Sequence, residues 1–270
     1  MKKIFILTLA ALLGLGAMAR KSEKDISYYT GNDPYAAERC RLDISAPDDA
    51  SDAPLVVWFH GGGLTGGNKS VPSQLEKAGY IVVAPNYRLM PSVPIDSCID
   101  DAARAVAWAF ANAGRLGGSP KKIFVAGHSA GGYLTAMIGL ERKWLAKYGI
   151  EADSIAALIP YSGQMITHFA HRDSQGIPAL RATVDEYAPL YHIRPDAPPF
   201  IMITGDPEEE LYGRYEENAY MWRMMKLTGH PDTHIYRLDG YSHGAMANPA
   251  HHILRKHVER IAGKSEGSSK

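Results

Sequence analysis

Short apolar runs alternate with longer amphipathic segments along most of the chain. Runs of four to six mostly apolar residues predict buried strands at residues 55–59, 81–84, 123–126, 155–160, 200–204 and 234–238. Apolar residues at helical spacing predict helices at residues 100–112, 132–145 and 215–227. Strands that alternate with helices favour one α/β domain, with a mostly parallel sheet covered by helices on both faces.

The two ends of the chain differ from this pattern. Lys2 and Lys3 precede an apolar run at residues 4–15, and Ala-Met-Ala follows at 17–19. This predicts a signal peptide over residues 1–19 and export to the periplasm or medium. The run is too short to span a bilayer comfortably, so we expect no stable membrane insertion after cleavage. The mature domain is predicted over residues 20–262, beginning with one or two edge strands, and the Ser/Gly/Lys-rich residues 263–270 are predicted to be a disordered tail.

Composition narrows the possible partners. Lys plus Arg and Asp plus Glu both number 29, so no overall charge attracts nucleic acid. Hydrophobic residues make up 46% of the chain, enough for a sizeable core. Cys40 and Cys98 are compatible with one disulfide or with two buried thiols, and two cysteines make a poor metal site.

A serine lies in a glycine-rich turn between a predicted strand and a predicted helix. Strand 123–126 leads into Gly-His-Ser-Ala-Gly at residues 127–131. This is the context of a nucleophile elbow, in which a strained turn lifts the serine hydroxyl above the sheet. Side chains at Gly127 and Gly131 would clash in so tight a turn. Ser129 is therefore the candidate nucleophile.

A second glycine motif follows an earlier predicted strand. Residues 60–63 read His-Gly-Gly-Gly directly after strand 55–59. Acyl transfer builds negative charge on the carbonyl oxygen, and rigid backbone N–H groups stabilise that charge in the transition state. We predict an oxyanion hole formed by the N–H groups of Gly62, Gly63 and Ala130. The Gly-Lys-Ser/Thr ending of a phosphate-binding loop is missing.

A serine hydroxyl needs a base, and the base needs an acid. Of 11 histidines, His243 lies on a loop after the last predicted strand, which fits the chain order of serine, acid, histidine. The acid is expected after strand 200–204, where residues 205–210 read Gly-Asp-Pro-Glu-Glu-Glu. Asp206, directly after the glycine, is one candidate. Glu208 is the other, because it lies two residues farther along the chain and its longer side chain reaches farther.

The other histidines are not expected to take part in catalysis. His251, His252 and His257 lie on a predicted C-terminal helix and are expected on the surface or in packing. His168 and His171 have the spacing of metal ligands on a helix, but no carboxylate accompanies them. We expect both to be solvated loop residues.

Together these motifs resemble those of the α/β-hydrolase-fold carboxylesterases, especially those related to hormone-sensitive lipase and to the acetyl and feruloyl esterases. The resemblance extends from about residue 42 to 260 and includes Ala-Pro-Asn-Tyr-Arg-Leu at residues 84–89, Pro94 and Asp101. It implies Ser129 as nucleophile and His243 as base, with no metal or organic cofactor. The family usually places its acid as Gly-x-x-Asp, a register that holds Glu208 here, so the resemblance favours Glu208 over Asp206.

The chain has no long helical cap insertion, and Leu64 replaces an aromatic residue that often follows the oxyanion glycines. Both features indicate an accessible site for short acyl groups on a small-molecule or polysaccharide-linked ester. Two alternatives stay open. One is an amide hydrolase resembling the arylformamidases, and the other is a hydrolase-fold protein that only binds. Proteins of the second kind generally lack the nucleophile or the base.

Overall fold

The central strands are apolar on both faces, as strands covered by helices on both sides must be. In the computed structural model, which describes residues 19–264, β4 (Ile81–Pro85), β6 (Ala157–Tyr161) and β7 (Phe200–Thr204) are buried throughout. The central strands β3 (Ala53–Phe59) and β5 (Gly118–His128) are buried at residues 55–59 and 122–127. The outer strands are β1 (Arg20–Ser27), β2 (Arg41–Pro47) and β8 (Thr233–Arg237).

The strands form one sheet in the order β1-β2-β4-β3-β5-β6-β7-β8. β2 pairs antiparallel with β1 and with β4, whereas the strands from β3 to β8 are parallel to one another. The carboxyl ends of the parallel strands therefore meet at one edge, where ligands bind in open α/β sheets. This is the α/β-hydrolase fold that the sequence predicts.

Helices cover both faces of the sheet. Their bounds are α1 (Pro34–Arg39), α2 (Ser73–Lys77), α3 (Ile95–Asn112), α4 (Ala130–Leu140), α5 (Lys143–Ala146), α6 (Phe169–Ser174), α7 (Arg214–Leu227) and α8 (Ala247–Lys264). Buried residues of α1, α3, α4 and α7 pack on one face, and those of α2 and α8 pack on the other. Short 3-10 turns occur at residues 114–116, 152–154 and 189–192.

Several predicted boundaries differ from the structure: β5 begins at Gly118 and α3 at Ile95, both earlier than predicted, and β6 begins at Ala157, later than predicted. The segment 132–145 forms two helices, because Glu141 adopts an extended conformation with ψ 101°. Helix α8 continues to Lys264, two residues beyond the predicted end of the domain. The structure does not describe residues 1–18 of the predicted signal peptide or residues 265–270 of the predicted tail. Both stay predictions.

Both cysteines are buried and unpaired. Burial raises the pKa of Cys40 and of Cys98 to about 12, so both thiols are protonated. Among residues 19–264, no helix combines the length and apolar character that crossing a bilayer requires.

A buried ion pair holds the chain after β4 against α3. Asp101 is fully buried, and its two carboxylate oxygens each accept a guanidinium N–H of Arg88 at 2.8 Å. The backbone N–H of Arg88 donates to the same carboxylate at 3.0 Å. A second guanidinium contact, to Asp33 at 2.7 Å, extends the pair to the start of α1.

Removing the buried carboxylate should destabilise the fold strongly. Asp101→Ala leaves the Arg88 guanidinium without its buried partner, and we expect the free energy of unfolding to fall by roughly 3–5 kcal/mol. The control is Glu23→Ala, which breaks the exposed pair with Arg115 and should cost less than about 1 kcal/mol. Urea unfolding measures both, and equal losses would contradict the assigned role of Asp101.

Candidate active site

Ser129 lies in the tight turn between β5 and α4. Its φ of 56° and ψ of −115° are strained for a residue with a side chain. Its backbone N–H donates to the carbonyl of Tyr161 at 2.8 Å, which ties the turn to β6. A Cβ on Gly131 would lie 2.1 Å from the carbonyl oxygen of Phe59, and one on Gly127 would lie 2.6 Å from the backbone at residue 131. The predicted need for glycine at both positions is confirmed.

A continuous line of hydrogen bonds runs from Ser129 through His243 to a carboxylate. Ser129 Oγ lies 2.9 Å from His243 Nε2, and His243 Nδ1 lies 2.6 Å from Oε2 of Glu210. A carboxylate only accepts, so Nδ1 carries the proton and Nε2 accepts from the serine hydroxyl. The three side chains come from the loops after β5, β8 and β7. Ser129 is 9% exposed, so the surrounding loops shelter its hydroxyl.

The carboxylate that contacts His243 is Glu210, so the predicted acids Glu208 and Asp206 are wrong. Residues 206–210 form a turn, in which the carbonyl of Asp206 accepts the N–H of Glu210 at 2.9 Å. The Asp206 side chain binds the N–H of Glu208 at 3.1 Å and that of Gly240 at 2.7 Å, which joins two loops. Glu208 lies on the exposed side of the turn. The carboxylate that faces the ring therefore comes two residues later than the family register implies.

Glu210 is held by donors on both of its oxygens. Oε1 accepts from the hydroxyl of Ser162 and from the N–H of Gly205 at 2.8 Å. Oε2 accepts from His243 and, at 3.3 Å, from the N–H of Leu211. Burial by itself would raise the pKa of this carboxyl, but the hydrogen bonds from His243, Ser162 and Gly205 outweigh it and lower the pKa to about 2. Glu210 is therefore ionised at neutral pH.

The His-Gly-Gly-Gly loop passes beside Ser129. A Cβ on Gly61 would lie 3.3 Å from the Cβ of Ser129. Gly62 and Gly63 have φ values of 117° and 65°, which favour glycine. Within residues 19–264, no protein acceptor takes the N–H groups of Gly62, Gly63 or Ala130. These donors are free to bind a substrate oxygen, and their role as an oxyanion hole stays a prediction.

A buried histidine, His60, and a half-buried one, His128, support the loops on either side of the serine. The ring of His60 stacks on Tyr87 with centroids 4.4 Å apart, and its Nδ1 donates to the carbonyl of Gly61 at 2.6 Å. Nε2 of His128 donates to the carbonyl oxygen of His243 at 2.8 Å. Burial lowers the pKa of His60 and of His128 to about 4, so both rings are neutral at pH 7.

Two of the remaining histidines require a correction, because His168 caps helix α6 and His171 lies within it, whereas both were expected on a solvated loop. His251 and His257 are buried in packing, one of the two outcomes predicted for them. His168 is also buried, although we expected a solvated loop residue. Its Nδ1 accepts the N–H of Ala170, which caps the start of α6 and keeps the ring inside the fold. In the described part of the chain, no group of three or more His, Cys, Asp or Glu could hold a metal ion.

Residues 162–168 form a loop that is held against α7 by a buried guanidinium and a half-buried carboxylate. The guanidinium of Arg214 donates to the carbonyl of Ser162. Oε2 of Glu217 accepts the N–H of Met165 at 2.9 Å. Burial lowers the pKa of Arg214 and raises that of Glu217, which reflects how far both charges lie from solvent. This loop, here called the β6 loop, begins beside Glu210 and leads to Phe169, which lies beside Gly63.

Phe169, the first residue of α6 after the β6 loop, supplies the aromatic ring that residue 64 lacks. A Cβ on Gly63 would lie 2.9 Å from the ring of Phe169. Leu64 instead turns inward and is fully buried in the core. The sequence gives no signal for this contact, because Phe169 reaches the glycines only through the packing of α6.

The fold and this site define an α/β-hydrolase with a Ser-His-Glu arrangement at the carboxyl edge of its sheet. Residues 42–187 match the family model named BD-FAE. This segment covers more than half of the 270 residues, and the chain belongs to that family.

Curated relatives include two mycobacterial proteins. Carboxylesterase NlhH of Mycobacterium tuberculosis is 41% identical over 90 residues, which cover 32% of this chain and 28% of that protein. The probable carboxylic ester hydrolase LipM of the same organism is 31% identical over 183 residues, covering 58% of this chain and 42% of that protein. The chain thus spans less than half the length of either relative. Together with the family match, these similarities confirm the predicted resemblance to the α/β-hydrolase-fold carboxylesterases.

Solved structures agree on the fold. A truncated form of a carbohydrate esterase from gut microbiota superposes with a TM-score of 0.75 at 15% identity, covering 92% of this chain and 98% of that one. The apo form of Thermogutta terrifontis esterase 2 gives a TM-score of 0.68 at 22% identity, covering 90% and 94%.

The low pKa of Glu210 predicts a stability contribution that is lost in acid. A carboxyl whose pKa falls from 4.5 to about 2 on folding stabilises the folded state fully above its unfolded pKa. That contribution declines as the pH falls through the interval between these two values. We expect Glu210→Gln to be less stable than the wild type near neutral pH, and the difference to shrink on acidification. Urea unfolding over a pH series measures it.

The matched control for this series is Glu208→Gln, which changes the same side chain on the exposed side of the turn. We expect its stability difference from the wild type to be small at every pH. A pH-independent difference for Glu210→Gln would contradict the stabilising contacts assigned to that carboxylate.

Proposed function

We propose that this chain is a serine carboxylesterase that cleaves short-chain or carbohydrate-linked acyl esters through an acyl-enzyme. The observation that supports this most directly is the unbroken line of hydrogen bonds from Ser129 through His243 to Glu210. Such a line activates a hydroxyl, because the ring accepts its proton while the carboxylate stabilises the resulting imidazolium. Curated carboxylesterases among the relatives support the same class of reaction.

Acylation begins when Ser129 Oγ attacks the ester carbonyl and its proton passes to Nε2 of His243. The oxyanion that forms lies among the N–H groups of Gly62, Gly63 and Ala130. One such donor typically stabilises the transition state by on the order of 3 kcal/mol. The imidazolium then gives its proton to the departing alcohol, leaving the acyl group on the serine.

Deacylation repeats these roles with water. His243 accepts a proton from the water molecule as it attacks the acyl-enzyme, and the same N–H groups stabilise the second oxyanion. Collapse of this intermediate releases the carboxylic acid and returns the proton to Ser129. Apart from water, these steps need only groups that the chain itself provides.

The preference for short acyl groups rests on Phe169, whose ring closes the space beside Gly63. Export through a leader at residues 1–19 is part of the same proposal and is supported by the pattern of Lys2, Lys3 and the apolar run. An exported esterase meets polysaccharides, so their acyl decorations are candidate substrates beside small esters.

Covalent labelling tests the nucleophile. A fluorophosphonate probe should label the wild type, because the activated hydroxyl attacks phosphorus as it attacks a carbonyl. We expect Ser129→Ala to lose the label and to hydrolyse p-nitrophenyl acetate at least about 10³-fold more slowly. Mass spectrometry locates the label, and Ser73→Ala, which removes an exposed hydroxyl at the start of α2, should keep it.

Two outcomes would contradict the esterase proposal. A wild type that takes no label would favour a protein that only binds. Labelling with faster turnover of formyl anilides than of matched acyl esters would favour an amide hydrolase.

Replacing Phe169 should change the choice of acyl group. Phe169→Ala opens space beside the oxyanion glycines, and we expect kcat/KM for hexanoate relative to acetate esters to rise about 10-fold or more. The control is Phe110→Ala, which truncates another half-buried phenylalanine on α3 and should leave the ratio unchanged. An unchanged ratio in Phe169→Ala, or a wild type that prefers long-chain esters, would refute this role.

A further inference from the structure

Ser162 is buried in the site and has no part in the reaction steps above. It follows β6 directly and is fully buried. Its hydroxyl donates to Oε1 of Glu210, the oxygen that faces away from His243. The preceding residue, Tyr161, accepts the backbone N–H of Ser129. Two consecutive residues of β6 and its loop therefore contact the nucleophile and the acid.

The backbone at Ser162 is fixed in a conformation that residues with side chains rarely adopt. Its φ is 43°, in the left-handed region that favours glycine. Its N–H donates to the carbonyl of Ile203 at 2.7 Å, and its carbonyl accepts from the buried guanidinium of Arg214. Strain of this kind persists where the surroundings over-determine it, and it clusters at functional sites. Glycine would relieve the strain but would lose the hydroxyl.

We propose that Ser162 is a positioning residue of the Ser-His-Glu arrangement. Its hydroxyl and the N–H of Gly205 together hold Oε1, so the carboxylate cannot rotate and Oε2 stays directed at Nδ1 of His243. The imidazole then keeps the orientation in which Nε2 faces Ser129. This inference rests on the proposed esterase function for its kinetic consequence, but its geometric consequence is independent of any substrate.

The direct test is Ser162→Ala, which keeps the Cβ and the backbone strain and removes only the hydroxyl. We expect kcat for p-nitrophenyl acetate to fall about 10-fold to 100-fold while KM changes less than about twofold, because misplacing a catalytic group slows the chemical step. Ser162→Gly should show the same loss. Full activity in either variant would overturn the proposal. Clearly higher activity in Ser162→Gly than in Ser162→Ala would also overturn it, because both variants lack the hydroxyl.

A double-mutant cycle separates positioning from general destabilisation. If Ser162 acts through the carboxylate, Ser162→Ala should cause no further loss in a Glu210→Gln background. The matched control is Ser45→Ala, which removes another buried serine hydroxyl that donates to a glutamate, Glu76, at 2.6 Å on the opposite side of the sheet. We expect Ser45→Ala to leave kcat unchanged. Additive losses in the cycle would assign Ser162 a purely structural role.

Proton NMR gives a readout that needs no substrate. The proton between Nδ1 of His243 and Glu210 should resonate far downfield in the wild type, since the two heavy atoms are 2.6 Å apart. We expect this resonance to move upfield or broaden in Ser162→Ala and to stay in place in Ser45→Ala. An unmoved resonance would overturn the positioning role even in a protein with no esterase activity. Failure of the proposed function would instead appear as absent hydrolysis and labelling in the wild type.

Discussion

The backbone of the turn at Ser129 packs directly against the end of β3, and the rest of the site is placed by that contact. At Gly131 even a single methyl group would meet the carbonyl oxygen of Phe59. Because the start of α4 touches the end of β3, the loop that continues from β3 must pass beside Ser129. This path brings Gly62 and Gly63 next to the serine. On the other side, β6 accepts the N–H of Ser129. Three neighbouring strands are thus set in register around one hydroxyl.

The loops at this edge lie outside the sheet and need other means of support. Charged groups that are buried or half-buried provide it on both sides, through Asp101 and Arg88 near α3 and through Arg214 and Glu217 on α7. Removing a charged group from water costs free energy, and hydrogen bonds to its partners offset that cost only while they stay in place. A small displacement of such a loop leaves a charge without its partners, which disfavours other loop conformations. A site whose hydrogen bonds span three loops requires this restriction.

The sequence predicts the sheet, Ser129 and His243 because each depends on a local rule. Apolar runs mark buried strands, the glycines around the serine are required by contact distances, and His243 follows from chain order. The acid does not follow from a local rule. Three glutamates stand in a row, and which of them faces the ring depends on the turn that the Asp206 side chain closes against Gly240. The contact of Phe169 with Gly63 likewise depends on how α6 packs. In both cases the deciding interaction joins segments that are distant in the chain.

The neutral histidines around the site have a consequence for how folding responds to acid. Burial holds the pKa of His60 and of His128 at about 4 and that of His168 well below 6.5, whereas an unfolded chain protonates all three near 6.5. Unfolding in mild acid therefore takes up protons, and folding expels them. Because the rings of His60 and His128 support the His-Gly-Gly-Gly loop and the His243 loop, folding of the whole domain releases protons in mild acid. The native state therefore loses stability as the pH drops from 6.5 towards 4.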